Sequence, residues 1–256
     1  MKFPLTIAAI ALAALMSPAD AAALQESGDP LASARWADMQ KSLLAGAPVL
    51  FDPRVKVIAP SIAENPMQVP VTIDATALPQ VQEVLVFADF NPIVQVLRFF
   101  PQGSDAYLGF RVKLQQSTPV RAAVRTTDGV WHVGGTWVNT IGGGCTAPSA
   151  ATGSKEWQKR LNEVSGRQWS EGPYSGRVRL SIVHPMDTGL VAGTPAFHLE
   201  EIELSDAAGQ RLMRLQTYEP VAENPVFTLH RGAVSGPVEA RGRDNNGNTF
   251  KAQIAQ

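Results

Sequence analysis

Cysteine is almost absent from this chain: Cys145 is the only one in 256 residues. A single thiol cannot form an intramolecular disulfide, so it is free, capped or paired with another chain. An excess of charge is missing too. Lys and Arg number 22 and Asp and Glu 23, for a formal charge of −1. With the two signs interspersed, neither a nucleic-acid partner nor an anionic membrane surface is expected. After residue 16 no segment reaches the roughly 18 unbroken apolar residues of a spanning helix, so no membrane insertion is expected. The motifs of common catalytic and metal sites are also lacking. His132, His184, His198 and His230 are scattered, with no HxxxH, HExxH or Cys-x-x-Cys spacing for zinc. There is no Gly-x-Ser-x-Gly and no P-loop. Gly142-Gly143-Gly144 lacks the later glycine and the helix of a dinucleotide fold. Glu200, Glu201 and Glu203 fit a solvated strand edge better than a glycosidase pair. The chain is therefore read as no enzyme, with no cofactor and no metal.

What is present begins with an export signal. Lys2 precedes an apolar run of about twelve residues at 5–16, Ser17-Pro18 breaks it, and Ala19-Asp20-Ala21 fits small-x-small cleavage. Residues 1–21 are read as a secretory signal peptide and the mature protein as periplasmic. The roughly 235 remaining residues suffice for one or two domains with real cores.

Nineteen prolines and 21 glycines, with few helical stretches, point to a β-rich chain. A first helix is expected over 31–45, where Trp36, Met39 and Leu43 share a face and Gly46 and Pro48 stop it. Strands are expected at 55–59, 68–74, 82–90, 94–100, 106–114, 120–126 and 131–138. About seven short strands with turns every 8–12 residues describe an immunoglobulin-like sandwich. A short helix is expected over 154–164, capped by Ser154, and 166–176 has no clear pattern. A second β series follows at 178–183, 196–204, 211–216, 226–230, 238–243 and 249–254. Asp244-Asn245-Asn246-Gly247 is a strong hairpin signal. The fold class is all-β: two immunoglobulin-like sandwiches in tandem, with a short N-terminal helix and a short linker helix. The first sandwich is placed at 22–141, an arm and linker at 142–175, and the second sandwich at 176–256.

Cys145 is the leading chemical candidate. It follows Gly142, Gly143 and Gly144 directly, and a glycine run forms no packed structure by itself. Residues 142–154 are read as a flexible segment with a span of roughly 20 Å, which makes the thiol an exposed group on a mobile arm. No Lys, Arg or His lies within nine residues to lower its pKa. An unactivated thiol on a thin arm suits a carrier better than a catalyst, which needs a fixed base. A weaker candidate is His184-Pro185-Met186, whose ligand types copper(I) accepts.

Taken in order, these residues resemble the SoxYZ sulfur-carrier family, with both subunits fused in one chain. The Trp36 helix, VKVIAPSIAENPMQVPVTI at 55–73 and the strand running into the glycine–cysteine arm resemble SoxY. HPMDTG at 184–189 and ENPVFTLHRGAVSGPVEARGRDNNGNTFKAQI at 223–254 resemble SoxZ. The likeness is greatest to fused forms associated with quinoprotein dehydrogenases. It implies that Cys145 covalently holds a sulfur intermediate, with Gly142 to Gly144 as the arm. It also implies partners among periplasmic sulfur-oxidation enzymes or a quinoprotein dehydrogenase, and pairing of the two halves as in a heterodimer. In SoxY the arm is a C-terminal Gly-Gly-Cys-Gly-Gly. Here Thr146 and Ala147 follow the cysteine and the chain continues, so the arm has to enter a partner as a loop. Two other functions stay open at this point: a non-covalent accessory protein for a dehydrogenase, and a metal chaperone using Cys145, His184 and Met186.

Overall fold

A computed structural model describes residues 28–149, 156–173, 175–233 and 236–255. The signal peptide read at 1–21 and the cap read at Ser154 lie outside the described residues. The N-terminal half carries α1 (Trp36–Leu43), β1 (Val49–Phe51), β2 (Lys56–Ile58), β3 (Ile62–Ala63), β4 (Val69–Asp74), β5 (Val81–Ala88), β6 (Gln95–Phe100), β7 (Ser104–Val112), β8 (Thr118–Thr126) and β9 (Trp131–Thr140). The C-terminal half carries α2 (Glu156–Lys159), β10 (Val164–Gly172), β11 (Ser175–Ile182), β12 (Asp187–Thr188), β13 (Ala196–Phe197) and β14 (Leu199–Ser205). It ends with β15 (Arg211–Thr217), β16 (Val226–Arg231), β17 (Val238–Asp244) and β18 (Thr249–Ile254).

Alternation of side chains builds the inner faces. In β7, Ala106, Leu108, Phe110 and Val112 point inward while Tyr107 and Arg111 stay half-exposed. Val69, Val71 and Ile73 do the same in β4, and Val178, Leu180 and Ile182 in β11. β5 departs from alternation, because Val84 to Ala88 are all buried. The reason is α1, which covers the outer face of that sheet with Trp36 and Met39 against Leu85, Phe87, Ala123, Trp131 and Val133. A strand buried on both faces reads as a continuous apolar run.

The two immunoglobulin-like sandwiches are joined edge to edge in both layers. One sheet runs β1-β9-β8-β5-β6-β15-β14-β17-β18, the other β10-β11-β16-β7-β4-β2. The first seam is β6–β15, antiparallel, with Leu97 opposite Thr217 and Phe99 opposite Leu215. The second is β7–β16, with Gly109 opposite Thr228 and Leu108 opposite Leu229. One apolar core spans both seams, in which Val71, Phe99 and Leu108 of the first half pack in one cluster with Leu180, Leu215 and Phe227 of the second. No helix among the described residues is long and apolar enough to cross a membrane.

Three sequence expectations change. Helix α1 is shorter than 31–45: the chain before it turns on Asp29, whose carboxylate accepts the Leu31 and Ser33 amides and pairs with buried Arg121. The described part of helix α2, Glu156–Lys159, is a single turn. The patternless stretch at 166–176 holds most of a strand, β10. It lies at the end of its sheet, pairs only with β11, and buries little besides Gln168, so its sequence carries no apolar alternation.

Candidate functional site

The cysteine turn sits on the junction between the halves. Gly142 and Gly143 both have positive φ, +86° and +89°, the conformation glycine adopts without steric cost. Gly144 is needed for a different reason. A Cβ there would run into the Pro66 carbonyl and lie 2.7 Å from the Leu114 carbonyl oxygen. The turn thus presses against the backbone of two neighbouring segments. The Gly143 amide donates to the Gln115 carbonyl at 3.0 Å and the Gly144 amide to the Leu114 carbonyl at 3.0 Å. The Cys145 amide donates to Gln115 Oε1 at 3.2 Å. From the other half, Thr188 Oγ1 donates to the Cys145 carbonyl at 2.7 Å.

This corrects the reading of an exposed thiol on a mobile arm. Cys145 is 0% exposed, and its Sγ–H points at the Lys113 carbonyl at 3.5 Å. The glycine run is ordered as a docked turn because its neighbours supply what a glycine run lacks by itself, acceptors and a close-fitting seat. Burial pushes the thiol up to about 11, against a smaller opposite pull from the Lys113 ammonium. At neutral pH the docked thiol is protonated and is not a nucleophile.

Lys113 is the site residue that sequence reasoning missed. It lies just past β7, where the inward positions fall on even numbers, so alternation assigns it to solvent. The second half covers it instead. The Lys113 amide donates to the Pro220 carbonyl at 2.7 Å, and Val112 bridges to Val221. Lys113 Nζ reaches the Met186 carbonyl. Burial pushes its pKa down to about 8, with the Cys145 charge the largest effect in the other direction. Beside the turn a small cleft is lined by Met67, Lys113, Ala147, Ser149, Asp187 and Thr188, among others.

His184 and Met186 lie at the same junction; His184 Nδ1 and Met186 Sδ are engaged, while His184 Nε2 has no hydrogen-bond partner among the described residues and lies 3.7 Å from Asp244 Oδ2. His184 Nδ1 accepts the Met186 amide at 3.1 Å, and Met186 Sδ accepts the Leu199 amide at 3.4 Å. Burial pushes His184 down to about 4 against the pull of the Asp244 carboxylate. No group of three or more His, Cys, Asp or Glu side chains among the described residues is arranged to hold a metal ion. Glu200, Glu201 and Glu203 form ion pairs with Arg243, Arg214 and Arg211 across neighbouring strands.

The sequence matches two family profiles in tandem. Residues 40–145 match the profile described as sulfur oxidation protein SoxY, and 172–255 the one described as sulphur oxidation protein SoxZ. The chain belongs to the SoxYZ sulfur-carrier family, as a SoxY–SoxZ fusion. The SoxY match ends on Cys145 itself. No curated protein matches the chain. Among solved structures, the sulfur carrier protein SoxY from Chlorobium limicola f thiosulfatophilum aligns with 20% identity and a TM-score of 0.37, over 42% of this chain and 96% of that one. A putative membrane anchored protein from Corynebacterium diphtheriae aligns with 10% identity and a TM-score of 0.27, over 78% of this chain and 56% of that one. Overlaps this partial add nothing to the assignment. In SoxYZ terms, the cysteine turn belongs to the SoxY part and is held by Thr188 of the SoxZ part, whose Met186 carbonyl takes Lys113 beside it.

Proposed function

We propose that this protein is a periplasmic covalent carrier in sulfur oxidation, holding a sulfur-containing group on the Cys145 thiol and presenting it to partner enzymes. The observation that carries this reading is the coincidence of the end of the SoxY match with the lone thiol of the chain, on a glycine turn. The docked state is then the resting state. The turn is held by a few hydrogen bonds, each with a net worth of about 1 kcal/mol, so a partner that grips the sandwiches can release it. The thiol then regains an ordinary pKa of about 8.5 in water and becomes reactive. Because the chain continues past Cys145, it is offered as a loop. The resemblance to fused carriers also suggests a link to a quinoprotein dehydrogenase.

The test is the intact mass of the protein taken from its own periplasm, before and after reductant. A reductant-labile adduct on Cys145, in mass steps of sulfur or an oxidised sulfur group, is the expected result. A bare thiol under every growth condition sinks the carrier reading.

The buried, protonated thiol favours one competing function: a non-covalent accessory protein for a periplasmic dehydrogenase, with Cys145 serving only to seat the turn. In that case the dehydrogenase co-purifies equally with wild type and Cys145→Ser.

A further inference from the structure

A lysine inside a protein normally has an anionic partner, because an unpaired buried charge is costly. Lys113 has none. It is 5% exposed, and no carboxylate among the described residues comes within ion-pairing distance of Nζ. Its one hydrogen-bond acceptor among the described residues is the Met186 carbonyl. An ammonium has three N–H donors, so two remain open, and the side chain lines the cleft beside the cysteine turn. The charged and titratable groups around it come from four segments. Cys145 on the turn acts most strongly when ionised, and at neutral pH Asp187 in β12 leads Glu223 and Glu219 between β15 and β16. His184 and His198 also face it, and burial holds both toward the neutral form.

We propose that Lys113 makes the Cys145 site selective for anionic cargo, its ammonium standing as the countercharge for a negatively charged sulfur group carried on the docked thiol. The physiological meaning rests on the carrier reading, whereas the charge coupling belongs to the site alone. A bare thiol leaves the ammonium without a partner. A thiosulfonate-type group, Cys–S–S–SO3⁻, supplies both the negative charge and the acceptor oxygens for the open N–H donors. A neutral group of comparable attachment supplies neither. Charge-assisted hydrogen bonds of this kind are the strong ones, and the low local dielectric strengthens them further. Lys113 is thus a positioning and selectivity residue, distinct from the residue that bears the cargo.

The test loads the full-length protein chemically, so it needs no natural cargo. The Cys145 thiolate attacks a central sulfur of tetrathionate. One S–S bond breaks, thiosulfate leaves, and Cys–S–S–SO3⁻ forms. With methyl methanethiosulfonate the thiolate displaces methanesulfinate and gives neutral Cys–S–S–CH3. Both loadings are done in urea, followed by refolding, and are checked by intact mass. The readout is the difference in Tm between the two adducts in wild type, Lys113→Met and Lys113→Arg. Size differences between the adducts cancel in this comparison. At about pH 7 the anionic adduct is expected to gain about 4 °C more in wild type than in Lys113→Met, and Lys113→Arg is expected to retain the gain. In wild type alone the gain is expected to fade as the pH rises past the folded-state pKa of Lys113, about 8 beside the bare thiol and higher beside an anion, and to be gone by about pH 10.5. That series decides the matter if Lys113→Met does not fold. The same gap in wild type and Lys113→Met, or a wild-type gap flat with pH, overturns the proposal. A bare thiol in the periplasmic mass measurement would remove the carrier reading and leave this result standing.

Discussion

Gly142, Gly143 and Gly144 look equivalent in sequence and have three different tasks in the structure. Gly143 has φ +89° and open space where its Cβ would be, so Gly143→Ala costs only the left-handed backbone penalty, about 1 kcal/mol. Gly142 combines φ +86° with a Cβ position 2.5 Å from the Gln115 carbonyl oxygen. Gly144 has an allowed φ and no room, because the atoms it would strike are backbone and cannot swing aside. Gly144→Ala is therefore expected to undock the turn, while Gly143→Ala leaves it seated. Iodoacetamide kinetics at pH 8 measure this. Wild-type Cys145 is expected to react on the order of a hundredfold slower than in urea, from a pKa near 11 against an ordinary value of about 8.5. Gly143→Ala should stay near that rate, and Gly144→Ala should approach the urea rate. Equal rates for the two variants would contradict this division of roles.

At the scale of elements, the segment from His184 to Thr188 meets the cysteine turn through Thr188, and His184 sets the sensitivity of that segment to acid. Its ring is fully buried, lies against the Phe197 ring at 4.5 Å between centroids, and takes the Met186 amide on Nδ1. Folding thus requires a neutral imidazole whose pKa has dropped to about 4 from 6.5. The sign follows from proton counting. Between those values the unfolded chain binds a proton that the folded chain refuses, so stability is intact above pH 6.5 and lost as pH falls toward 4. The loss is on the order of 3 kcal/mol. His184→Gln is expected to flatten the slope of stability against pH in this window, as measured by urea unfolding at pH 7, 5.5 and 4. An unchanged slope would mean that His184 is not the group responsible. Elements also show where sequence reasoning works. The strands with one face on the core, such as β4, β7 and β11, alternate plainly and are found within a few residues of their ends. β10, at a sheet end, and β3, two residues long, carry no such pattern because their stability comes from pairing alone.

For the whole molecule, the decisive feature is that neither sandwich ends at its own edge. β6 continues into β15 and β16 into β7, so each half pairs strand edges that would otherwise be open. The core likewise belongs to both halves. Cooperative loss of structure is the expected consequence, with one thermal transition and closely similar midpoints by circular dichroism and fluorescence. Amide exchange resolved by peptide should give β5 and β17 similar opening free energies. Two separated transitions, or a β17 that opens well before β5, would show that the seams contribute little.

Local pattern alone determined the all-β class, both strand series, the stripe that seats α1 and the pairing of a lone cysteine with a glycine run. These follow from side-chain periodicity and from the conformations that glycine and proline permit, which act over a few residues. The state of the thiol lay beyond it. Cys145 is buried because Pro66, Leu114, Gln115 and Thr188, distant in sequence, close around it. Lys113 is buried because the second half covers a position that alternation gives to solvent. Burial and the nearness of charges depend on which segments meet, so the tertiary structure alone decided that this thiol rests protonated beside an ammonium that pairs with no carboxylate among the described residues.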